Sequence, residues 1–266
     1  MTRSKLKDIQ NLKDHRGIDI QKVGVKNVEV PLNIQRKNEE GQVVNARATM
    51  SISLPGDYKG THMSRFIEVL TEWGQKNLLG VDIKGCLEEI ANKLNTDNAE
   101  VKFEFKYFID KKAPVSRLSC PQGYNCGFEG ILNKDEYKFI LEVNVPVTTL
   151  CPCSKEISDY GAHNQRTNVK VRISYDPDKI IWIEDLVELI EQCGSSPIYP
   201  LLKREDEKFV TEQAYNNPKF VEDLLRDIVS KLSKIDIASW FEIDCEAFES
   251  IHNHSAWAYQ EEFLSK

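Results

Sequence analysis

The order of apolar patterns along the chain constrains the fold more than any other feature of the sequence. Alternation of apolar and polar residues predicts half-buried strands, whereas apolar residues spaced three and four apart predict amphipathic helices. The patterns predict strands over 23–30 and 48–54, then helices over 63–73 and 83–94, then strands over 101–105 and 139–145. Thr61 and Asp82 are the predicted N-caps of the two helices. The stretch 112–134 is interpreted as a loop-like insertion.

The same order then begins again in a weaker form. A strand over 169–175, helices near 184–193, 206–215 and 218–231, a strand over 237–248 and a last strand near the C-terminus are predicted. Antiparallel strands with helices packed on one face define the α+β class. No linker rich in Gly, Pro or Ser divides the chain, so we expect a flexible polar arm over 1–20 and two fused modules, about 21–150 and 151–266, that share one sheet.

The charge balance and the absence of an apolar segment exclude two classes of partner. The 266 residues include 35 Lys and Arg and 42 Asp and Glu, a formal net charge of −7, which does not favour nucleic acid or an anionic membrane. No apolar run approaches the roughly 18 residues of a membrane span, and the N-terminus lacks the apolar region of a signal peptide. We therefore expect a cytoplasmic protein whose seven cysteines are thiols, so that a close pair indicates a metal or catalysis.

Residues that bind metals are concentrated just after the predicted strand that ends near Leu150. Cys151, Cys153 and His163 lie within 13 positions, and thiolate with imidazole is a donor set that zinc prefers. These ligands are too few for a closed structural site, so either another element completes one or the site is open and catalytic. His252, with its neighbour two positions on, is a candidate for a further ligand or for an acid–base group.

Three other segments carry charged residues that have both a structural and a functional interpretation. Lys203 and Arg204 precede three acidic residues at a predicted helix start, which is commonly only a solvated surface but could also bind phosphates. Glu222 adjoins apolar residues, and its spacing alone favours the edge of a helix. His62 and Arg65 belong to a basic, hydroxyl-rich helix start, whose free N–H groups suit an anion as well as an ordinary cap.

Taken together, these segments resemble a known enzyme family. The runs Cys-Pro-Cys-Ser-Lys-Glu-Ile-Ser from Cys151 and Gly-Ala-His-Asn-Gln-Arg from Gly161 are similar to those of GTP cyclohydrolase IB, the prokaryotic type. The segments around His62, Lys203, Glu222 and His252 fit the same family in order, over about 20–260. The chain departs from the family at Glu205, where proline is expected after Lys-Arg.

The resemblance implies a tunnelling fold that assembles into an oligomeric barrel, a homotetramer with active sites between subunits. It implies conversion of GTP and water to formate and 7,8-dihydroneopterin triphosphate, with one divalent metal (zinc, manganese or iron) in each site. Carried onto this sequence, it makes Cys151, His163 and Glu207 the metal ligands and Glu222 the anchor of the guanine edge. Cys151, Cys153 and His252 are then the catalytic residues, and Lys203, Arg204, His62 and Arg65 the further candidates for substrate binding.

Two other functions compete with this one. Nitrile reductases of the tunnelling fold use a cysteine nucleophile and a nicotinamide cofactor, but the Cys-Pro-Cys and His cluster favours a metal. A non-catalytic protein could instead close a four-ligand metal site with a C-terminal histidine, and it would then lose its fold rather than an activity when the metal is removed. That interpretation gives no role to the charged residues near 203–223.

Overall fold

The structure is a computed structural model that describes residues 8–10, 12–134 and 136–264. Positions 1–7 and 11 of the predicted arm lie outside the described residues. The described residues form ten strands: β1 Ile20–Ile34, β2 Gln42–Leu54, β3 Asn77–Leu78, β4 Asn98–Lys112, β5 Ser119–Asn133, β6 Glu136–Leu150, β7 Asn164–Tyr175, β8 Ser196–Pro197, β9 Ala238–Ala247 and β10 Ala256–Phe263. They also form six helices: α1 Met63–Trp73, α2 Gly80–Leu94, α3 Pro152–Ile157, α4 Ile183–Glu191, α5 Arg204–Asn216 and α6 Val221–Leu232.

The strands form a largely antiparallel sheet, which confirms the predicted α+β class. Their hydrogen-bonded order is β10-β9-β7-β6-β5-β4-β2-β1-β3, and β8 pairs with β6. The pairs β1–β2, β2–β4, β6–β7, β7–β9 and β9–β10 are antiparallel, whereas the short β3 runs parallel to β1. No helix in the described part of the chain is long and apolar enough to cross a membrane.

The chain divides into two compact units. The first contains Met1–Phe105 and Phe128–Phe139, and the second contains Lys106–Gly127 and Ile140–Lys266. Strands β4, β5 and β6 therefore each contribute residues to both units.

In the first unit, the positions of strand β1 that face the core change from odd to even residue numbers part-way along the strand. Its pairing with β2 shifts register between Val25 and Val28, and Asn27 in the shift has a positive φ of 59°. Such a bulge inserts one residue, so the apolar positions change from odd to even numbers without leaving the core side. The described residues before β1 also bond to the segment after β2, with the backbone N–H of Asp14 donating to the carbonyl of Asp57 over 2.9 Å.

Both predicted helix caps in the first unit were wrong. His62 is the N-cap of α1, and Thr61 lies buried before it. Asp82 is the third residue of α2, where its carboxylate accepts a hydrogen bond from the backbone N–H of Leu79 over 2.7 Å. Residues one turn inside a helix can satisfy the free N–H groups at its start, so an acidic residue near the start does not fix the cap position.

Helix α6 was predicted well from the sequence, whereas strand β5 and helix α3 were missed. Helix α6 buries its apolar stripe, including Leu224, Ile228 and Leu232, although it begins at Val221 rather than at 218 as predicted. The predicted insertion was wrong for most of its length, because 119–133 is strand β5 and only a short connection precedes it. Helix α3 was also missed, since six residues are too short to show a period.

Candidate active site

The candidate site begins where β6 ends in the second unit. Cys151 is the N-cap of α3, and its Sγ accepts a hydrogen bond from the backbone N–H of Ser154 over 3.4 Å. Pro152 follows as the first residue of the helix, a position where no backbone N–H is needed. Cys151 is partly buried, whereas Cys153 on α3 is exposed to solvent. The Cys-Pro-Cys run thus presents its two thiols differently.

His163 is joined to Cys151 by one backbone hydrogen bond and by the side chain of Ser154, which bonds to both residues. The N–H of Cys151 donates to the carbonyl of His163 over 3.1 Å. The hydroxyl of Ser154 donates to the carbonyl of Cys151 over 3.2 Å and accepts from the N–H of His163 over 3.2 Å. Gly161 has a φ of 153°, which side chains of L residues rarely adopt, and this glycine turns the chain back between α3 and β7. The structure therefore holds together the two metal ligands that the resemblance implied first.

The orientation of the His163 ring suits a metal ligand. Its Nδ1 lies 3.0 Å from Oε1 of Gln165 and 3.6 Å from Oε2 of Glu249. A ring whose Nδ1 faces an acceptor presents its other nitrogen, Nε2, as the site for a metal. Thiol and imidazole together fit zinc or a similar divalent ion. In the described ranges, however, no three His, Cys, Asp or Glu side chains come close enough to hold a metal ion.

Glu207, the third expected ligand, lies in the first turn of α5 and is exposed. The structure does not bring its side chain into a metal-binding group with Cys151 and His163. The residue beside it has the opposite environment: Asp206 is fully buried. The carboxylate of Glu207 is therefore accessible from solvent, whereas that of Asp206 is enclosed by the fold.

Asp206 anchors the start of α5 to the connection that precedes β5. Its carboxylate accepts hydrogen bonds from the backbone N–H groups of Val115, Ser116 and Lys203 over 2.8–2.9 Å, and from the Ser116 hydroxyl over 2.6 Å. Burial alone would raise the pKa of Asp206, but the Ser116 hydroxyl and the backbone N–H groups stabilise the anion and hold its pKa well below the usual range. Asp206 therefore has a structural role, holding the start of α5, that the sequence did not reveal.

Glu222 lies exposed in the first turn of α6, as its spacing suggested. The segment before it is tied to the end of β6, because the N–H of Lys219 donates to the carbonyl of Leu150 over 2.9 Å. The amide of Asn217 donates to the carbonyl of Gly194 over 3.0 Å, which fixes the same segment a second time. Glu222 therefore lies three residues after Lys219, which is hydrogen-bonded to the end of the strand that precedes Cys151.

The basic candidates are placed differently from one another. Lys203 and Arg204 are exposed at the start of α5, where their side chains are available to an anion. His62 and Arg65 belong to the first unit, where a guanidinium N–H of Arg65 donates to the carbonyl of Lys93 at the end of α2. Part of the hydrogen-bonding capacity of Arg65 is thus used within its own unit.

His252 lies in the turn between β9 and β10 rather than in a strand. Its ring stacks on that of His254 with centroids 5.1 Å apart, and both residues are exposed. Glu249, at the start of the same turn, approaches His163 as described above. The turn therefore borders the Cys151–His163 pair through Glu249.

Two residues of the site, Gln165 and Glu249, were missed by the sequence analysis. Both lay inside motifs that were noted, but their role depends on the register between β6, β7 and the turn after β9. In a strand, residues two apart share a face, so His163 and Gln165 in the Gly-Ala-His-Asn-Gln-Arg run could have been paired from their spacing. Glu249 is 84 residues away from Gln165 and gave no local signal.

Comparison with known proteins assigns the chain to a family. Residues 6–258 match the model of the family described as type I GTP cyclohydrolase FolE2. The chain belongs to this family. GTP cyclohydrolase FolE2 of Geotalea uraniireducens is 51% identical over 253 residues, which cover 95% of this chain and 92% of that protein. The FolE2 protein of Citrifermentans bemidjiense is 50% identical over 95% of this chain and 93% of its own length. The GTP cyclohydrolase part of the resemblance is therefore confirmed.

Solved structures confirm the fold of this FolE2 family member. Uricase from Arthrobacter globiformis superimposes with a TM-score of 0.51 at 6% sequence identity, covering 92% of this chain and 93% of that one. A hyper-thermostable mutant of the same uricase gives a TM-score of 0.51 at 7% identity, covering 93% and 92%. At such low identity the similarity concerns the fold alone, and it supports the tunnelling fold that the resemblance implied.

Proposed function

We propose that this chain is a cytoplasmic enzyme that converts GTP and one net water to formate and 7,8-dihydroneopterin triphosphate, the first step of folate-type pterin synthesis. This proposal rests on the chain's membership of the FolE2 family, whose curated relatives carry the name GTP cyclohydrolase. Assignment to the IB type, which the central Cys-Pro-Cys motif supports, is part of the same proposal.

One observation about the site carries the proposal furthest. Cys151 and His163 are held in one hydrogen-bonded turn, and Nδ1 of His163 faces Gln165 so that Nε2 is the ring nitrogen left for a metal. An open, catalytic metal site can use this donor pair, because it leaves positions for a third protein ligand and for water. Glu207 is proposed as the third protein ligand of a zinc, manganese or iron ion.

The protein's own residues would bind the substrate and move protons around this pair. A divalent ion held there would supply an activated water for attack at C8 of the purine near neutral pH. The exposed thiol of Cys153, two residues from Cys151, and the exposed imidazole of His252 are proposed to transfer protons to the ring nitrogens as the imidazole ring opens. Both groups lie on segments that border the Cys151–His163 pair.

Glu222 is proposed to bind the guanine edge. A carboxylate accepts two parallel N–H bonds from N1 and the exocyclic amine of guanine, and adenine lacks that pair of donors. The exposure of Glu222 and the hydrogen bond between Lys219 and Leu150 support this role, because they leave the carboxylate accessible and tie its segment to the strand before Cys151. Such an anchor would orient C8 rather than react itself.

The triphosphate is proposed to bind Lys203 and Arg204, with His62 and Arg65 as further ligands. Guanidinium and ammonium groups form strong hydrogen bonds to phosphate oxygens, and the first two side chains are exposed at a helix start. If neutralising Lys203 and Arg204 together left the KM for GTP unchanged, their part of this assignment would be wrong.

A homo-oligomer, specifically a tetramer, is proposed as the working form. Strand β10 is the last in the sheet order and exposes Trp257 by 61% and Phe263 by 75%. Near the Cys151–His163 pair, Ile157 and Tyr160 are also largely exposed. Large exposed apolar side chains commonly mark a contact surface. The mass of the protein in solution, measured by light scattering, should therefore correspond to four chains.

The reaction itself is the direct test. Purified protein is treated with chelator, and GTP is then added with Mn²⁺, with Zn²⁺ or with no metal, while formate and the fluorescent oxidised pterin are measured. Product that appears only with metal supports the proposal. Folded oligomer that makes no product with any metal would contradict it, and a reaction that required NADPH and ignored chelators would support the nitrile reductase instead.

A further inference from the structure

Gln165, the second residue of β7, contacts three polar side chains in the interior of the second unit. It is 9% exposed. Its Oε1 lies 3.0 Å from Nδ1 of His163, and its Nε2 lies 3.2 Å from Oε1 of Glu249 and 3.3 Å from Oγ1 of Thr149. Every polar atom of this amide therefore has a partner within the fold.

The partners fix which way the amide points. A carboxylate oxygen accepts hydrogen bonds, so the atom of Gln165 that faces Glu249 must be the NH₂ group. The reversed amide would place two oxygen atoms against each other. Oε1 must then face His163, and because a carbonyl oxygen only accepts, Nδ1 of His163 must carry the proton.

A chain of buried hydroxyls accepts the second N–H of the amide in this orientation. Thr149 accepts a hydrogen bond from Gln165, so its own hydroxyl is free to donate to Oγ1 of Thr167, 2.7 Å away. Thr149 is 1% exposed and Thr167 is fully buried, and Thr149 lies directly opposite Gln165 in the β6–β7 register. Both N–H groups of the amide therefore have an acceptor in this orientation, and Glu249 selects it, because the Thr149 hydroxyl could also donate to a reversed amide.

From this geometry we propose that Gln165 is a positioning residue that fixes His163 in the tautomer with its proton on Nδ1. In that tautomer the lone pair of the neutral imidazole is on Nε2, the nitrogen that is available to a metal. The inference rests on the proposed function for its purpose, since the metal is the reason for fixing the tautomer. Glu249 acts in two ways, because one carboxylate oxygen selects the direction of the amide and the other lies 3.6 Å from Nδ1 of His163.

The tautomer can be measured without metal or substrate. In protein uniformly labelled with ¹⁵N, after removal of metal, long-range ¹H–¹⁵N correlation spectra distinguish a ring protonated on Nδ1 from one protonated on Nε2. The His163 signals are identified by their loss in His163→Gln. The proposal predicts a proton on Nδ1 of His163 in the wild-type protein. A proton on Nε2 would overturn it, and this measurement depends on no variant of Gln165.

A variant of Gln165 distinguishes the effect of its hydrogen bond to His163 from the effect of its side-chain packing. Gln165→Met keeps the length of the side chain but removes the acceptor, so His163 should gain a population protonated on Nε2, and Zn²⁺ affinity measured by chelator competition should fall about 10- to 100-fold. Gln192→Met, at the exposed end of α4, is the matched control and should change neither quantity.

The outcomes also separate this inference from the proposed function. If Gln165→Met remained folded and kept both the tautomer and the Zn²⁺ affinity of the wild type, the positioning role would be wrong whatever the enzyme does. If the tautomer and the affinity changed as predicted but the wild-type protein turned over no GTP with any metal, the proposed function would fail and the positioning role would remain.

Discussion

The backbone N–H of Lys219 donates a hydrogen bond to the carbonyl of Leu150 over 2.9 Å. Leu150 is the last residue of β6 and directly precedes Cys151, whereas Lys219 lies three residues before Glu222. A single hydrogen bond therefore links the strand that positions the proposed metal ligand to the segment that positions the proposed guanine anchor. The two functions proposed for the site, holding the metal and holding the base, would therefore depend on the same strand end.

Glu222→Gln should reduce kcat/KM for GTP by about 10- to 100-fold, because a neutral amide would replace the carboxylate that is proposed to accept two N–H bonds from guanine. The exposed side chain makes no contribution to the core, so the melting temperature should stay the same. Steady-state kinetics and thermal unfolding measure the two effects. Glu205→Gln, another exposed carboxylate at a helix start, is the control, and equal losses in both variants would contradict the guanine assignment.

The thiols should fall into two classes of reactivity. Cys86, Cys126, Cys193 and Cys245 are buried, and burial raises the pKa of Cys86 and of Cys245 to about 12. The remaining thiols are accessible to different degrees: Cys120, Cys151 and Cys153. A thiol-specific chromogenic reagent should therefore react with three of the seven cysteines in the native protein and with all seven after denaturation.

Zinc should protect one of the three accessible thiols. A ligand sulfur is unavailable to the reagent while the metal is bound, so the native count should fall from three to two, and mass spectrometry should locate the protected residue at Cys151. Protection of Cys153 instead would exchange the roles proposed for the two cysteines of the Cys-Pro-Cys run.

Asp206 should stabilise the fold in a pH-dependent way. Its pKa is lower in the folded protein than in the unfolded chain, so its stabilisation is fully present above the unfolded value of about 4 and is lost as the pH falls through the folded value. Asp206→Asn should lower the melting temperature at pH 7 more than Glu205→Gln does. The difference between Asp206→Asn and the wild type should narrow as the pH approaches 2, and a constant difference would contradict this explanation.

A buried ion pair makes a separate prediction about stability. Lys111 donates to Glu191 over 2.5 Å, and the hydroxyl of Tyr124 donates to the same carboxylate oxygen over 2.8 Å. Burial lowers the pKa of Lys111 against the opposing effect of Glu191. Removing the carboxylate therefore leaves a buried cation without its counter-ion, hydrogen-bonded to the carbonyl of Ile198. Glu191→Leu should reduce the free energy of unfolding by about 3–5 kcal/mol.

The double variant checks that the loss comes from the unpaired charge. In Lys111→Met/Glu191→Leu both charges are absent, and urea unfolding should show that part of the stability lost in Glu191→Leu is regained. A double variant that is less stable than Glu191→Leu alone would contradict this explanation, because Lys111 would then stabilise the fold without its carboxylate partner.

Much of the fold followed from the sequence where one face of an element is buried. The alternation around Met50 and Ile52 in β2 and the stripe around Leu224 and Ile228 in α6 predicted elements that the structure confirms. Strand β5 did not follow, because 119–133 contains three glycines and a proline, which disfavour a strand locally. Its pairing with the strands on either side, β4 and β6, outweighs that preference.

The candidate site was predictable only in part, for a related reason. Cys151 and His163 stood out because both residue types bind metals and they lie close together in the sequence. Gln165 and Glu249 have no distinctive chemistry by themselves, and they acquire a role only when the strands bring them within 3.2 Å of each other. Single-sequence patterns report local faces and spacings, whereas hydrogen-bond networks between distant segments depend on the sheet register.

The most direct test of the account compares Cys151→Ala with Cys153→Ala. The central claim is that Cys151 is the metal ligand of a GTP cyclohydrolase, whereas Cys153 transfers protons without holding the metal. Metal content and formate release from GTP are measured for both purified variants after loading with Zn²⁺ or Mn²⁺. Cys151→Ala should lose both the metal and the activity, whereas Cys153→Ala should keep the metal while its turnover falls about 10²- to 10⁴-fold. Full metal occupancy and GTP turnover in Cys151→Ala would contradict the account.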